Sequence, residues 1–481
     1  MTPAIALTVT LVFIFYLFKR DFHEPYRPSH ALWVPSIWLL LLGSRPLSYW
    51  LDLGLTSQDA FQSQAAGDYM EGSPIDRAGF LILMAAGLIV LFKRSIAWRQ
   101  VLQNNIAIAL FFLYCAITVL WSDFPEVASK RWCKSLGDPM MVLIILSDPQ
   151  PIKAVRAVLK RCTYILIPLS VLFIKYYSHL GREYSEHEGL VFYTGVAMNK
   201  NVLGFICMAC GLFCVWRLCA EWSERRATAK NGDAAVAVLL LAMVGWLFYM
   251  TDSKTSLLCL MIGSLIMVGL GAKHVRENTG RYLIIGIFVL SILQLVFNVG
   301  ELIILGAGRD TTLTGRTELW EIVLGMAEHP LTGDGYESFW LGDRLKKLWA
   351  IYYFKPNQAH SGYIETYLNL GLIGVAFLTG MIISLYRKMR ELLSGDASAT
   401  EQVNFARYGL GFLAAYLFFN ITEAAFKELH FLFVTFLIFA MKYPPSVHRP
   451  RLAGRAEAVA SAPEQLPSVI SSSHGGSLAR Q

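Results

Sequence analysis

Apolar runs long enough to cross a bilayer recur from one end of this 481-residue chain almost to the other, and that recurrence narrows the architecture to one kind. A helix needs about 20 largely apolar residues to span the hydrocarbon core. Peptide groups find no water there, so segments of this length satisfy their own hydrogen bonds as helices and pack into a bundle. Thirteen candidates stand at 3–18, 32–51, 78–93, 105–121, 131–147, 162–178, 202–219, 234–251, 255–271, 282–299, 362–386, 407–422 and 427–441. Lys134, Asp138 and Pro139 interrupt the fifth, and the last two also read as one broken pair around Glu423. The expectation is an all-α polytopic membrane protein with about 12–13 transmembrane helices. Composition agrees, with 55% hydrophobic and only 16% charged residues, against about 25% charged in soluble domains.

Charge sets the orientation, because Lys and Arg gather in short cytoplasmic loops. If the segment after the first span lies inside, alternate loops hold 26 of the 42 basic residues. The stretch 52–76 carries Asp59, Asp68 and Glu71 with no Lys or Arg, as an outer loop should. Dropping the interrupted fifth span would reverse every later loop, so the alternation argues for keeping it. The formal charge of +7 is spread over many loops instead of forming one stripe, which is not the footprint of a nucleic-acid-binding protein. Most of the eight Cys lie inside apolar runs as small buried side chains, and Cys207, Cys210 and Cys214 lack the His or carboxylate company of a metal site. The first run ends in Lys19-Arg20 without a basic region before it or a small-residue cleavage site after it, so it reads as a retained span. The membrane domain is expected over 1–442. The tail 443–481, rich in Ala, Ser, Pro, Gly and Arg, reads as disordered and cytoplasmic.

The longest polar interruption, 298–362, then faces outward and holds the residues with chemical potential. Leu319, Trp320, Val323, Leu324 and Ala327 recur at three- and four-residue steps, predicting a short helix from near Arg316 that Pro330 ends. Arg316 in its first turn would add a planar guanidinium to a helix end that already favours anions. The plain alternative is a pair with Glu318 or Glu321. Gly333-Asp334-Gly335-Tyr336 predicts a tight turn, which can also be a simple connector. His360 precedes the span starting at Gly362, with Ser361 placed to cap it; it can exchange a proton near neutral pH and activate a hydroxyl, or be an interfacial histidine only. Asp252 and Lys254 sit in a turn between two spans too short for a solvated loop, where ionisable groups are costly. Asn199-Lys200-Asn201 opens a span in the same outer layer. Mutual pairing and helix capping are the alternatives for both groups.

Taken in order, Met198-Asn199-Lys200-Asn201-Val202-Leu203-Gly204, Thr251-Asp252-Ser253-Lys254-Thr255, Gly315 to Trp320, His329-Pro330-Leu331-Thr332-Gly333-Asp334-Gly335, and His360 with Gly371-Leu372-Ile373-Gly374 resemble the signatures of the O-antigen ligase and O-antigen polymerase family, over about 195–440. Within it, the Asp-Ser-Lys-Thr-Ser variant most resembles exopolysaccharide polymerases of the succinoglycan type. The resemblance implies a GT-C-like, metal-independent glycosyltransferase of the bacterial inner membrane, without a cofactor, whose site faces the periplasm. It implies an oligosaccharide on a polyprenyl diphosphate as donor, a glycan hydroxyl as acceptor, and the bilayer, chain-length regulators or export proteins as partners. Arg316 matches the arginine expected to hold the diphosphate, and His360 the histidine expected to position or deprotonate the acceptor. Lys254 stands where the family's ligases usually carry Arg, keeping the charge and losing the fork. Asp252, Asn199, Lys200, Asn201, Tyr336 and Glu365 are expected to support them. A ligase acting on a lipid A core differs from a polymerase only in its acceptor. A flippase or exporter of lipid-linked sugars would instead spread its cations along a two-sided path.

Overall fold

The computed structural model describes residues 1–21, 26–51, 73–184, 191–224, 232–281, 316–352, 355–395 and 400–443. The expected span 282–299, the first part of the long loop up to 315 and the tail from 444 lie outside the described residues. The chain begins with α1 (Pro3–Asp21), α2 (Trp33–Leu42), α3 (Leu47–Leu51), α4 (Pro74–Lys93), α5 (Trp98–Asn104) and α6 (Ile106–Thr118). It continues through α7 (Pro125–Ser135), α8 (Gly137–Leu146), α9 (Pro151–Tyr176) and α10 (Ser178–Gly181) to a two-stranded antiparallel hairpin, Arg182–Tyr184 with Val191–Tyr193. Then come α11 (Lys200–Glu224), α12 (Gly232–Thr251), α13 (Lys254–Gly269), α14 (Lys273–Glu277), α15 (Arg316–Gly325), α16 (Gly342–Ile351), α17 (Gly362–Leu393), α18 (Thr400–Thr422) and α19 (Phe431–Ala440).

Among the described residues, six helices are long and apolar enough to cross a membrane, and the pair Trp98–Asn104 and Ile106–Trp121, bent by 91°, has the form of a broken span or a re-entrant loop. The protein is an all-α, multi-pass membrane protein. Several expected spans form shorter helices. The candidate at 32–51 stops at Gly43 because Arg45 and Pro46 follow; the buried Arg45 guanidinium donates to the carbonyls of Ala197 and Leu180. The candidate at 131–147 divides between α7 and α8 at Leu136. Polar groups cause the division: Lys134 ends one helix, while buried Asp138 opens the next and accepts hydrogen bonds from Trp38 Nε1 at 2.9 Å and from Leu429 N at 2.7 Å.

The interior is built on α19, whose ten residues, FLFVTFLIFA, are all buried. A helix apolar on every side has no face for solvent or headgroups and is therefore surrounded by others, here α8, α17 and α18. Next to it α13 and α18 cross closely, since Gly263 and Gly411 face one another and a Cβ on Gly411 would lie 2.6 Å from the Gly263 carbonyl oxygen. Small residues at such crossings let backbones approach where lipid supplies no hydrophobic drive.

The long polar loop docks into a break in α17. Gly371 has φ +64° and ψ −168°, which interrupts the helical ladder. The loop bridges the break: Leu372 and Ile373 N–H donate to the carbonyls of Pro330 and Leu331 at 3.0 and 3.2 Å, and Asp334 and Gly335 N–H donate to those of Leu368 and Asn369 at 3.0 and 3.1 Å. Tyr114 OH donates to Thr332 O and Leu370 O. The Gly-Asp-Gly segment, with φ +73° at Gly333 and +98° at Gly335, is thus the turn expected of two glycines, and it plugs a broken membrane helix instead of merely connecting. α15 ends at Gly325, short of the expected stop at Pro330, which is used in this docking. Leu319, Val323, Phe339, Trp340, Leu345 and Leu348 form a second small core that holds α15 and α16 over the end of α17.

Candidate functional site

Three side chains separated by up to 107 positions meet where α15, the start of α17 and the connector 423–430 converge. Arg316, the first residue of α15, directs Nη2 at Glu423 Oε1, 3.0 Å away, and donates from Nη1 to the Thr422 carbonyl. The second carboxylate oxygen of Glu423 lies 3.7 Å from His360 Nδ1. Glu423 therefore joins the two residues named from the sequence, and Arg316 pairs with it instead of with Glu318 or Glu321. Burial pushes the Glu423 carboxyl up, but the neighbouring His360 ring and Arg316 guanidinium outweigh burial and hold it below its ordinary value.

The mounting of His360 is strained and over-determined. Its φ is +49°, a conformation uncommon for a residue with a Cβ that persists only where surroundings impose it. On one side, buried Glu365 accepts from Ala359 N–H at 2.9 Å and from Trp340 Nε1 at 2.7 Å. On the other, Gly362 N–H donates to the Glu423 carbonyl at 3.1 Å. Ser361 stands at the N-cap of α17 but does not cap it; its hydroxyl donates to the Asn420 carbonyl at 3.4 Å. The connector is fixed as firmly: Ala425 N–H donates to Asn420 Oδ1, Tyr416 OH to Ala425 O, and Leu429 N–H to Asp138.

His360 and Glu423 face a cavity of about 470 Å³. One wall is apolar, from Leu41, Leu42, Leu47 and Phe80. Asn199 and Asn201 stand at another, where Asn199 Oδ1 accepts from Val202 N–H at 2.9 Å and opens α11. Two cations absent from the sequence-based set also line it, Lys134 from α7 and Lys427 from the connector.

Other expected site residues lie elsewhere. Arg316, Lys254, Asp252 and Lys200 are not among the described residues lining the cavity; Arg316 reaches its edge only through Glu423. Lys254 opens α13, Asp252 is exposed with φ +49°, and the Lys200 ammonium sits 4.3 Å over the Phe192 ring. Tyr336 is buried, its N–H donating to Thr118 Oγ1 at 3.1 Å, and belongs to the docking segment. Glu365 acts on the site through the backbone beside His360. Glu423 is the functional candidate that sequence reading left without a role. Its signal was present, since an acid interrupting two apolar runs at membrane depth is by default a candidate for function.

This geometry can carry proton transfer and anion stabilisation together. A carboxylate 3.7 Å from Nδ1 stabilises the protonated imidazole electrostatically, and the Gln358 Nε2 amide contacts the same nitrogen at 3.5 Å, leaving His360 Nε2 to meet a hydroxyl. Residues 236–379, from α12 into α17, match the family model described as O-antigen ligase. The chain is 26% identical over 341 residues to the exopolysaccharide production protein ExoQ of Rhizobium meliloti (strain 1021), an alignment covering 67% of this chain and 75% of that protein. The segment carrying Lys254, Arg316 and His360 is thus the part of the chain that is similar to the O-antigen ligase family model.

Proposed function

We propose that this protein is an inner-membrane glycosyltransferase that joins polyprenyl-diphosphate-linked oligosaccharide repeat units into exopolysaccharide on the periplasmic face. Ligase- or polymerase-type chemistry is supported by the family match, and exopolysaccharide production by the relative. The observation that carries the reading is the Arg316–Glu423–His360 chain of contacts at the edge of a cavity with an apolar wall.

In this reading the acceptor hydroxyl lies at His360 Nε2. Its oxygen attacks the anomeric carbon of the donor as the bond from that carbon to the diphosphate oxygen breaks. The hydroxyl proton passes to His360, Glu423 stabilises the imidazolium, and polyprenyl diphosphate leaves with the bonding pair. The donor is already activated, so the protein's tasks are to orient the acceptor, accept one proton and neutralise the leaving group. Arg316 anchors Glu423 and offers its remaining N–H groups to the diphosphate. No metal is used in this scheme.

Reconstitution in proteoliposomes with a purified lipid-linked oligosaccharide tests it. The expected result is release of polyprenyl diphosphate with a ladder of repeats, and loss of both in folded Arg316→Ala and His360→Ala. Unchanged turnover in these variants would refute their roles. A single transfer onto a lipid A core would reassign the protein as a ligase, and transbilayer movement without a new glycosidic bond would make it a transporter.

A further inference from the structure

A diphosphate leaving group carries several negative charges over many oxygens, and one guanidinium already paired with Glu423 is a poor match for it. Neither Arg316 nor Lys254, the other cation expected for this task, is among the described residues lining the cavity; Lys134 and Lys427 are. They stand on different supports. Lys134 is on α7, its ammonium 4.8 Å over the Phe80 ring, which is itself part of the apolar wall. Lys427 is on the connector that also carries Glu423, four residues on. Of the two acids in the lining, Glu423 is paired with Arg316 and Asp76 has both carboxylate oxygens engaged by Ser48, one by N–H at 2.9 Å and one by Oγ at 2.6 Å. Among the described residues Lys134 has the aromatic face as neighbour and no ion-pair partner.

We infer that Lys134 and Lys427 form the seat of the donor's diphosphate, with the wall of Leu41, Leu42 and Leu47 taking the first isoprene units, an assignment that rests on the lipid-linked donor proposed above. A cavity of about 470 Å³ is in the range of small-molecule sites, and this one places cations, a proton acceptor and an apolar wall around one space. Two flexible ammonium groups suit a diphosphate that must enter, react and leave, since Lys acts on phosphate as a mobile point charge where Arg acts as a fixed fork. The arrangement puts positive charge beside the bond that breaks, where it counts most in the transition state. It also divides the work: Glu423 stabilises His360, Arg316 anchors Glu423 and adds its remaining N–H groups from the side, and the two lysines carry most of the leaving group's charge.

The test is binding of radiolabelled undecaprenyl diphosphate to the full-length protein in nanodiscs, with undecaprenyl monophosphate as comparison. Lys134→Gln and Lys427→Gln are each expected to weaken diphosphate binding about tenfold or more, the loss of a charge-assisted contact. The Lys→Arg variants should recover most of that affinity. Lys346→Gln, on the exposed face of α16, should bind as the parent does. Monophosphate should bind more weakly and respond less to either substitution. Parent-like binding by both Gln variants overturns the seat and leaves the lipid-linked donor standing. Affinity lost in Lys254→Gln but kept in the cavity variants does the same. A loss that Arg fails to restore, accompanied by a lowered thermal midpoint, shows a packing role and also overturns the seat. Failure of the parent protein to bind polyprenyl diphosphate overturns the donor reading, and the seat with it.

Discussion

Replacing Glu423 by Gln keeps the shape of the side chain and removes the charge that links Arg316 to His360. The imidazolium formed as His360 takes the acceptor proton would lie 3.7 Å from this carboxylate. At that distance unit charges attract by about 4.5 kcal/mol at an effective dielectric of about 20 and by about 1 kcal/mol in bulk water. The His360 side chain is 24% exposed and that of Glu423 15%, so the site lies between these limits. The expected loss in kcat is therefore about 10-fold to about 10³-fold, with the acceptor KM little changed because in this reading the acceptor meets His360 and not the Glu423 carboxylate. The assay is polyprenyl diphosphate release from proteoliposomes with the acceptor titrated. Stability supplies a second readout. The folded Glu423 carboxyl is held below its ordinary value, so its contribution is present above the unfolded value of about 4.3 and is lost as pH falls through the folded one. The parent protein should be the more thermostable at neutral pH, and the gap should close in acid. Glu423→Gln turning over at half the parent rate or better would refute the argument that this carboxylate supports the imidazolium. An equal loss in kcat and in thermal midpoint at every pH would reduce Glu423 to a structural brace.

Two further perturbations follow from the docking of the long loop and from its orientation. A Cβ on Gly371 would lie 2.3 Å from the Leu331 carbonyl oxygen at a φ of +64°, so Gly371→Ala should lower stability by about 2–4 kcal/mol from backbone strain and clash and loosen the loop to proteolysis. Gly380→Ala in the same helix, with only Ala107 Cβ at 3.9 Å, should be neutral, and equal thermal midpoints for the two would refute the docking account. For topology, a periplasm-restricted thiol reagent should label Lys346→Cys and spare Lys273→Cys in a background freed of the exposed Cys133; the reverse would overturn the orientation drawn from charge. Gly342 is a poor labelling position, since a side chain there meets the Phe124 ring at 2.5 Å.

What could be read in the sequence and what could not divides by the range of the interaction. Helices were legible because apolar length is a local property: α1, α4, α9, α11, α12 and α17 lie where the apolar runs are. The breaks were legible as residues but not as geometry. Lys134 and Asp138 marked a weak span, yet only packing shows that Asp138 holds the backbone of Leu429, 291 positions away. The two-glycine turn was legible from φ preference, whereas its partner, the Gly371 break, was not: a Gly in a membrane helix is too common to announce a kink. The site divides in the same way. His360 and Arg316 stood out because each occupies a special local position, a span mouth and a helix start. Glu423 did not, because its meaning depends on two residues 107 and 63 positions before it that approach only after α17 and α18 have packed. The same dependence displaces Lys254. Sequence order assigns it to the same expected layer as His360, but layer alone does not decide which space a side chain faces. The cations that reach the cavity are those carried by the interrupted helix and the fixed connector, so the irregularities that made the fifth and last spans hardest to assign are what bring charge to the site.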